Sequence, residues 1–271
     1  ARDIIEQSDL IIAVGTELGP TDFENTLSKN HIRKAKVIRI DIDIGQMIRM
    51  LTPDIPIVSD SREAITEINV LLHDFFGNNS WGKNAVKKAI SFVIDNYDTE
   101  LELCRDVLEC ISNTISDAIV VGDQNQLVYA GWNFFEASKP RTFFSAATGF
   151  GTLGYGLPAA IGAKLAVRDK TVISLMGDGG LWFSLSEMGV SSEYELPIIM
   201  IVWNNKGYGE IKTRMLKAGI NPIGVDISES NLNTAADLFN WCYEKPVSRY
   251  ELEDNLKIAS KRKRSTLFEL D

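Results

Sequence analysis

The sequence predicts an α/β protein with doubly wound parallel sheets arranged in three αβα layers. Two observations carry this prediction. Short runs rich in Val, Ile and Leu alternate with longer segments of helical periodicity along most of the 271 residues, as expected of a chain built from βαβ units. The apolar runs are continuous rather than interleaved with polar residues, which is typical of parallel strands buried on both faces.

The first third of the chain contains strand patterns followed by one helix pattern. We expect strands at 10–15 (LIIAVG), 37–43 (VIRIDID) and 56–58. Helical spacing over residues 61–76 begins beside Asp60 and Ser61, and either side chain is a suitable N-cap. The polar, glycine-containing segment FGNNSWGKN that comes next predicts a linker.

Beyond the linker the same alternation continues to the last residues. The predicted strands are 118–123, 141–147, 171–178, 197–205 and 266–270. The predicted helices are 83–115, 126–138, 156–167, 184–195, 208–218, 232–241 and 250–262. Because ligands of doubly wound sheets bind where the parallel strands end, we expect the functional site at the carboxyl ends of these strands.

Composition narrows the class of protein. The net charge is −9, which disfavours nucleic acid as the main partner because phosphate binding requires a basic surface. No apolar run approaches the ~20 residues that a membrane-spanning helix needs. The chain enters a strand pattern almost at once and has no initiator Met, so we expect it to be part of a longer protein.

Sparse cysteine and histidine content disfavours two kinds of site. The three cysteines, Cys104, Cys110 and Cys242, form no C-x-x-C pair, and an odd, sparse count favours a reducing, cytoplasmic setting. The two histidines, His31 and His73, lie far in sequence from the glycine-rich segments. A zinc site or a Ser-His-Asp triad is therefore not expected.

One glycine-rich segment permits two interpretations. ATGFGTLGYGLPAAIGAKLA (147–166) contains G-x-G-x-x-G at Gly149, Gly151 and Gly154. This spacing is typical of a dinucleotide-binding turn, and Asp178 ends the next strand, where a ribose-binding acid would lie. A nucleotide-binding oxidoreductase is therefore one hypothesis, and a purely architectural tight turn is another.

The residues around Asp178 favour a third hypothesis. Asp178 is embedded in MGDGG, and glycines there offer bare backbone amides to an anion at the start of a helix. A carboxylate beside a phosphate site suggests a bridging Mg²⁺, which prefers oxygen ligands. Asn205 ends the following strand and Gly207 could add a backbone carbonyl, so the sequence predicts a metal site formed by neighbouring strand ends. Taken singly, Asp178 could be a helix N-cap and Asn205 a turn former.

At this point the chain resembles a known family. GDGGLWFSLSEMGVSSEYELPIIMIVWNN (177–205) is similar to the signature of thiamine-diphosphate enzymes of the acetolactate synthase and 2-oxo acid decarboxylase superfamily. Within it, the segments ATGFGTLGYGLPAAIGAKLA, NNKGYGEI and NPIGVDI most resemble 5-guanidino-2-oxopentanoate (2-ketoarginine) decarboxylases. The resemblance implies the second half of a middle, Rossmann-like domain at 1–77, a linker at 78–88, and a domain of thiamine-diphosphate-binding fold at 89–271.

The resemblance also implies roles for individual residues. Mg²⁺ would be held by Asp178, Asn205 and the Gly207 carbonyl. The cofactor's diphosphate would lie against the residues of the first and third strand ends: Gln124, Asn125, Gln126, Gly177, Gly179 and Gly180. For the first three, capping of the next helix is the alternative.

The remaining roles concern the thiamine rings and the substrate. The Gly151 carbonyl would accept a hydrogen bond from the aminopyrimidine, and Leu153 would support the V-shaped cofactor from below. Tyr208 would lie near the thiazolium. Glu210 could meet a cationic substrate tail, although a solvated glutamate at a helix start is an equal alternative.

The implied activity is non-oxidative decarboxylation of a 2-oxo acid through a C2 ylide and an enamine. 5-Guanidino-2-oxopentanoate is the candidate substrate, and carboligation by an acetolactate synthase is the alternative. In the family the activating glutamate belongs to an N-terminal domain of a partner subunit, so a homodimer or homotetramer is expected. We expect no catalytic residue in this chain, and therefore no activity from this segment alone.

Overall fold

The computed structural model describes residues 2–19, 35–75, 77, 80–96, 99–146, 150–228 and 231–271. The chain divides into two compact units, Ala1–Tyr97 and Asp98–Asp271. His31 and Gly149 lie outside the described residues.

The first unit contains a parallel three-stranded sheet. Its strands, in spatial order, are β1 (Leu10–Val14), β2 (Lys36–Asp41) and β3 (Ile55–Val58). Its helices are α1 (Arg2–Gln7), the 3-10 helix Ile44–Ile48, α2 (Ser61–Leu71) and α3 (Trp81–Asp95). The N-cap of α2 is Asp60, whose carboxylate accepts from the Arg62 amide. A small core contains Ala13, Leu18, Val37 and Leu51.

The second unit is built on a six-stranded sheet in which every adjacent pair is parallel. Its strands are β4 (Ile119–Gly122), β5 (Phe143–Ser145), β6 (Val172–Gly177), β7 (Ile199–Trp203), β8 (Cys242–Glu244) and β9 (Thr266–Leu270). Their spatial order is β5-β4-β6-β7-β9-β8. The chain leaves β4 toward one edge and returns on the other side of β4 as β6, which makes the fold doubly wound.

Helices cover both faces of this sheet. They are α4 (Thr99–Thr114), α5 (Gln126–Phe134), α6 (Gly156–Ala166), α7 (Asp178–Trp182), α8 (Glu187–Glu193), α9 (Gly209–Lys217), α10 (Leu232–Leu238) and α11 (Arg249–Ala259). One core packs α4, α5 and α11 against the sheet, and a second packs α6, α8 and α10 against it.

Alternation along β6 explains how one strand serves both cores. Ile173 and Leu175 belong to the first core, and Val172 and Met176 belong to the second. Successive side chains of a strand point to opposite faces, so a continuous apolar run fills both layers. The predicted three-layer αβα class is confirmed.

Two predicted helices differ from the observed ones. The pattern over 83–115 is interrupted, since α3 ends at Asp95 and α4 begins at Thr99. The pattern over 184–195 is shorter, because α8 covers only 187–193 while α7 occupies the glycine-rich residues before it. Strand β8 and helix α1 were not predicted.

Other predicted elements are present with shorter ends. The helix predicted to reach residue 138 ends at Phe134. The strand predicted over 141–147 is confined to β5, because Arg141 has φ 66, which is incompatible with an extended strand. Ala147 lies outside the described residues. Helix α3 begins inside the predicted 78–88 linker, and the predicted domain boundaries stay predictions.

None of the described helices combines the length and the apolarity that crossing a membrane requires.

Candidate functional site

A cavity of ≈ 320 Å³ opens at the carboxyl edge of the six-stranded sheet. It lies where the loops after β4, β5, β6 and β7 meet. Since β5 and β6 flank β4 on opposite sides, this is the crevice where the strand order reverses and where doubly wound sheets bind ligands.

All the residues predicted to hold the cofactor, the metal or the substrate line this one cavity. They are Gln124, Asn125, Gln126, Gly151, Leu153, Gly177, Asp178, Gly179, Gly180, Asn205, Gly207, Tyr208 and Glu210. The lining also includes Tyr129, Trp203, Gly209 and Ile211, which were not predicted as site residues. The structure thus brings the predicted set together, and the binding role of each residue stays a prediction.

The three predicted metal ligands face one another. One end of the Asn205 carboxamide lies 2.8 Å from the Gly207 carbonyl oxygen and 3.2 Å from Asp178 Oδ1. Without a cation this end is best taken as the nitrogen, which then donates to both oxygens. With the carboxamide turned over, the Asn205 oxygen lies at these two distances from the other two oxygens, close to the ~3.0 Å that separates adjacent ligands around Mg²⁺. The donor set therefore fits the ion.

Asp178 is held in an environment that suits a cation. The residue is 3 % exposed, and burial raises the pKa of its carboxyl although backbone amides, including those of Gly179 and Gly207, lower it in part. A divalent ion beside this carboxylate would favour its ionised form. Among the described residues no group of three or more His, Cys, Asp or Glu is placed to hold a metal.

Backbone amides at the start of α7 face the same cavity. Gly177 is extended (φ −92, ψ 156) and precedes the helix, whose first residues are Asp178, Gly179 and Gly180. The first amides of a helix have no intrahelical acceptor. Apart from the Gly179 amide, which donates to the Asp178 carboxylate, they are therefore available to an anion such as a diphosphate.

The glycine turn is held in place by a buried carboxylate. Gly151 and Gly154 adopt φ 73 and 81, which L side chains rarely adopt. Asp123, which is fully buried, accepts hydrogen bonds at 2.7 Å from the amides of Gly154 and Gln124. This contact joins the turn to the end of β4 and sets the position of the Gly151 carbonyl.

The polar residues after β4 divide into two roles. Asn125 caps α5, since its Oδ1 accepts from the Val128 amide and its Nδ2 donates to the Leu175 carbonyl. Its side chain is thus committed to the scaffold. Gln124 accepts a hydrogen bond from the Tyr129 hydroxyl at 3.0 Å and, with Gln126, keeps a half-buried side chain at the cavity.

The far end of the cavity is formed by Trp203 and the start of α9. The Trp203 indole donates to Glu100 at 3.2 Å. Tyr208 lies over Gly179, where an added Cβ would come 2.7 Å from its ring. Glu210 pairs with Arg214 at 2.6 Å, so its carboxylate already has a cationic partner.

Sequence reasoning missed two residues that shape this site, Asp123 and Tyr129. Asp123 contacts Gly154, which is 31 residues away, and no spacing rule predicts such a contact. Tyr129 lies one turn into α5, and the helical pattern did not indicate which face borders a cavity. A polar or aromatic residue within one turn of a predicted strand-end motif is the signal that could have identified both.

Comparison with known proteins identifies the family. The description "Thiamine pyrophosphate enzyme, C-terminal TPP binding domain" matches residues 123–270, and "Thiamine pyrophosphate enzyme, central domain" matches residues 1–68. The first match contains the glycine turn, the Asp178 segment and the Asn205 loop. Thiamine diphosphate is therefore the cofactor of the domain that contains the cavity.

Individual relatives agree with this assignment. The chain is 30% identical, over 99% of its length, to 48% of a probable 2-ketoarginine decarboxylase of Pseudomonas aeruginosa. It is 31% identical, over 78% of its length, to 38% of a probable acetolactate synthase large subunit of Methanococcus aeolicus. A similar match, 30% over 78%, covers 38% of the acetolactate synthase isozyme 3 large subunit of Escherichia coli.

The chain thus spans about half the length, or less, of the curated relatives it matches. The two domain matches lie in the same order as the two compact units. The chain belongs to the thiamine pyrophosphate enzyme family.

Proposed function

We propose that the chain contributes the Mg²⁺ and diphosphate half-site of an enzyme that decarboxylates a 2-oxo acid without oxidation. The observation that carries this proposal is the convergence of Asp178, Asn205 and the Gly207 carbonyl at spacings suited to Mg²⁺. When bound, thiamine diphosphate supplies the electron sink for the electrons released as CO₂ leaves.

The chain's own residues bind and orient the cofactor. Asp178, Asn205 and the Gly207 carbonyl would hold Mg²⁺, and the amides at the start of α7 would hold the diphosphate oxygens. Leu153 and the Gly151 carbonyl set the position of the rings, since the turn that contains them is fixed by Asp123. Precise positioning of this kind is how proteins convert a cofactor's intrinsic reactivity into rate.

The half-site needs a glutamate from another domain, in a cytoplasmic homodimer or homotetramer that completes the cavity. Among the described residues that line the cavity, Glu210 is the only glutamate. It is paired with Arg214. This pairing supports a role outside proton transfer at the aminopyrimidine.

For the substrate we propose 5-guanidino-2-oxopentanoate. The match to a probable 2-ketoarginine decarboxylase over nearly the whole chain supports this choice, and Glu210 offers a carboxylate at the cavity for a guanidinium tail. The substrate would have to displace Arg214 from that carboxylate. Carboligation of 2-oxo acids is the second candidate, supported by the matches to acetolactate synthase large subunits.

Two measurements on the full-length protein test the proposal. First, Asp178→Ala should weaken Mg²⁺-dependent binding of thiamine diphosphate by about 100-fold or more. Loss of an outer-shell partner of a metal already costs up to about 100-fold, and Asp178 would be a direct ligand. Asp117→Ala is the matched control, because Asp117 pairs with Lys170 away from the cavity. Equal binding by wild type and Asp178→Ala would contradict the proposal.

Second, a panel of 2-oxo acids distinguishes the two activities. Release of CO₂ and an aldehyde from 5-guanidino-2-oxopentanoate supports the decarboxylase. Formation of acetolactate from pyruvate, with no aldehyde from the guanidino acid, supports the carboligase instead.

A further inference from the structure

A buried carboxylate lies near the metal loop, the turn Asn205–Gly207 that carries two of the predicted metal ligands. It is outside the cavity described above. Glu269, at the carboxyl end of β9, is 7 % exposed. It lines a second, polar cavity of ≈ 170 Å³ that also touches Asp178 and Lys206. Buried carboxylates are costly unless they are fully hydrogen-bonded, so its partners indicate what it does.

Three donors surround this carboxylate. Glu269 Oε1 accepts from Asn204 Nδ2 at 2.8 Å and from Lys245 Nζ at 3.1 Å. Its Oε2 accepts from the Tyr243 hydroxyl at 2.5 Å. Lys245 and Tyr243 come from β8 and the residues after it, while Asn204 follows β7. Glu269 therefore ties the end of β7 to the far edge of the sheet.

Asn204 passes this restraint to the metal loop. Its backbone amide donates to the Leu270 carbonyl at 2.7 Å, and its Oδ1 accepts from the Lys206 amide at 3.2 Å. Lys206 has φ 62, a left-handed conformation that persists in a non-glycine residue only where its surroundings hold it. The turn at Lys206 is what carries Asn205 and Gly207 toward Asp178.

We propose that Glu269, acting through Asn204, is a positioning residue that fixes the Asn205–Gly207 turn in the geometry Mg²⁺ requires. The inference rests on the proposed function, since it concerns the same metal site. Mg²⁺ demands near-ideal octahedral ligands at ~2.1 Å, whereas Ca²⁺ accepts longer and irregular ones. Loosening the turn should therefore lower the affinity for Mg²⁺ more than the affinity for Ca²⁺.

The test titrates Mg²⁺ and Ca²⁺ separately into the full-length protein at saturating thiamine diphosphate. Binding is followed by tryptophan fluorescence, because Trp203 lines the cavity, and checked by calorimetry. Glu269→Leu should weaken Mg²⁺ binding by about 10-fold or more, as loss of an outer-shell partner typically does. The affinity for Ca²⁺ should change much less, so the ratio of the two affinities falls.

Three further variants make the result specific. Glu269→Gln keeps an acceptor for Asn204 and should retain the wild-type ratio. Asn204→Leu removes the other half of the contact and should reproduce Glu269→Leu, so it carries the test if Glu269→Leu does not fold. Glu244→Gln is the matched control, because Glu244 lies on β8, next to β9, and forms a half-buried ion pair with Arg262 away from the metal loop. Its neutralisation should leave the ratio unchanged.

The possible failures are distinguishable. An unchanged Mg²⁺ to Ca²⁺ ratio in folded Glu269→Leu and Asn204→Leu would overturn the positioning role while leaving the proposed function intact. Equal losses for both ions would do the same, because they would indicate general destabilisation. A wild-type protein that binds no Mg²⁺ with the cofactor would overturn the proposed function and the positioning role together.

Discussion

Asp123 shapes the cavity without lining it. The carboxylate is fully buried and accepts from the backbone amides of Gln124 and Gly154. These two amides belong to the loops on either side of the cavity. Asp123 therefore acts on the cofactor only through the backbone, and its titration should be visible in stability rather than in binding chemistry.

A pH-dependent difference between wild type and Asp123→Asn follows. Burial raises the pKa of the Asp123 carboxyl in the folded state, and backbone hydrogen bonds lower it only in part. The pKa of Asp123 in the folded state therefore lies above the unfolded value of ~3.9, and the contribution of this carboxyl to the stability of the wild type is greatest below that pH. It is lost as the pH rises through the folded pKa.

The free energy of unfolding of wild type minus that of Asp123→Asn should therefore decrease as the pH rises above the unfolded pKa of Asp. Urea unfolding at several pH values measures it, and titrations common to both proteins cancel in the difference. A difference that instead grows with pH would mean that the amide hydrogen bonds outweigh burial.

Gly207 gives a steric prediction at the metal loop. A Cβ at this position would lie 2.5 Å from the Val225 carbonyl oxygen, which is backbone and accepts from the Tyr208 amide at 2.8 Å. Gly207→Ala should displace the loop and weaken Mg²⁺-dependent cofactor binding about 10-fold or more.

The matched control is Gly162→Ala in α6, where an added Cβ meets nothing within 4 Å. Alanine there should leave cofactor binding unchanged and stabilise the fold by up to about 1 kcal/mol. Calorimetric titration and thermal unfolding measure the two effects. Normal Mg²⁺-dependent binding by Gly207→Ala would show that the loop tolerates the displacement.

At the level of elements, strand-helix alternation predicted most of the second sheet but not its short members. β8 has three residues, all half-buried, and the apolar residues around it fit a helical pattern equally well. α7 contains two glycines that sequence rules assign to a loop; it forms because the end of β6 and the packing of Leu181 in the second core impose the backbone direction. Tertiary contacts of this kind leave no local signal.

The break between α3 and α4 was predictable in part. Asn96 and Thr99 are residues that favour helix ends because their side chains compete for backbone hydrogen bonds. Asn96 indeed donates to the Phe92 carbonyl at 2.8 Å. The apolar spacing on either side was compatible with one helix, so periodicity alone could not reveal the interruption.

The cap of α5 gives a prediction that separates scaffold from ligand contact. Asn125 joins the helix start to β6 through its bonds to Val128 and Leu175. Asn125→Ala should lower the free energy of unfolding by about 1–2 kcal/mol, since it removes the cap of α5, while the Leu175 carbonyl keeps its hydrogen bond from the Asp123 amide. Gln126→Ala should have little effect on stability but weaken cofactor binding.

Chemical denaturation and cofactor titration of the two variants measure this contrast. If Asn125→Ala weakened cofactor binding in protein that is as stable as wild type, Asn125 would be a direct ligand contact rather than a cap.

At the scale of the whole molecule, the predicted site is assembled from residues of four segments that are distant in sequence. The G-D-G…N-N pair could be placed in advance because parallel strands that are neighbours end at the same edge of the sheet, as β6 and β7 do. The contact that supports this pair could not be predicted. Glu269 and Asn204 are 65 residues apart in sequence, and their contact depends on a strand order that the sequence alone did not supply.

This assembly predicts where ligand binding should be felt. All the candidate residues lie in the second unit, and a ligand stabilises the structure it contacts by mass action. Hydrogen exchange of the full-length protein, with and without thiamine diphosphate and Mg²⁺, should show added protection at 177–181 and 204–209. Peptides spanning β2 and β3 should exchange at the same rate in both states, because their sheet contributes no residue to the cavity. Omission of Mg²⁺ provides the internal control, since protection at 204–209 depends on Asn205 and Gly207 sharing the ion with Asp178. The reverse pattern, with protection confined to the first unit, would show that the cofactor does not bind in this cavity.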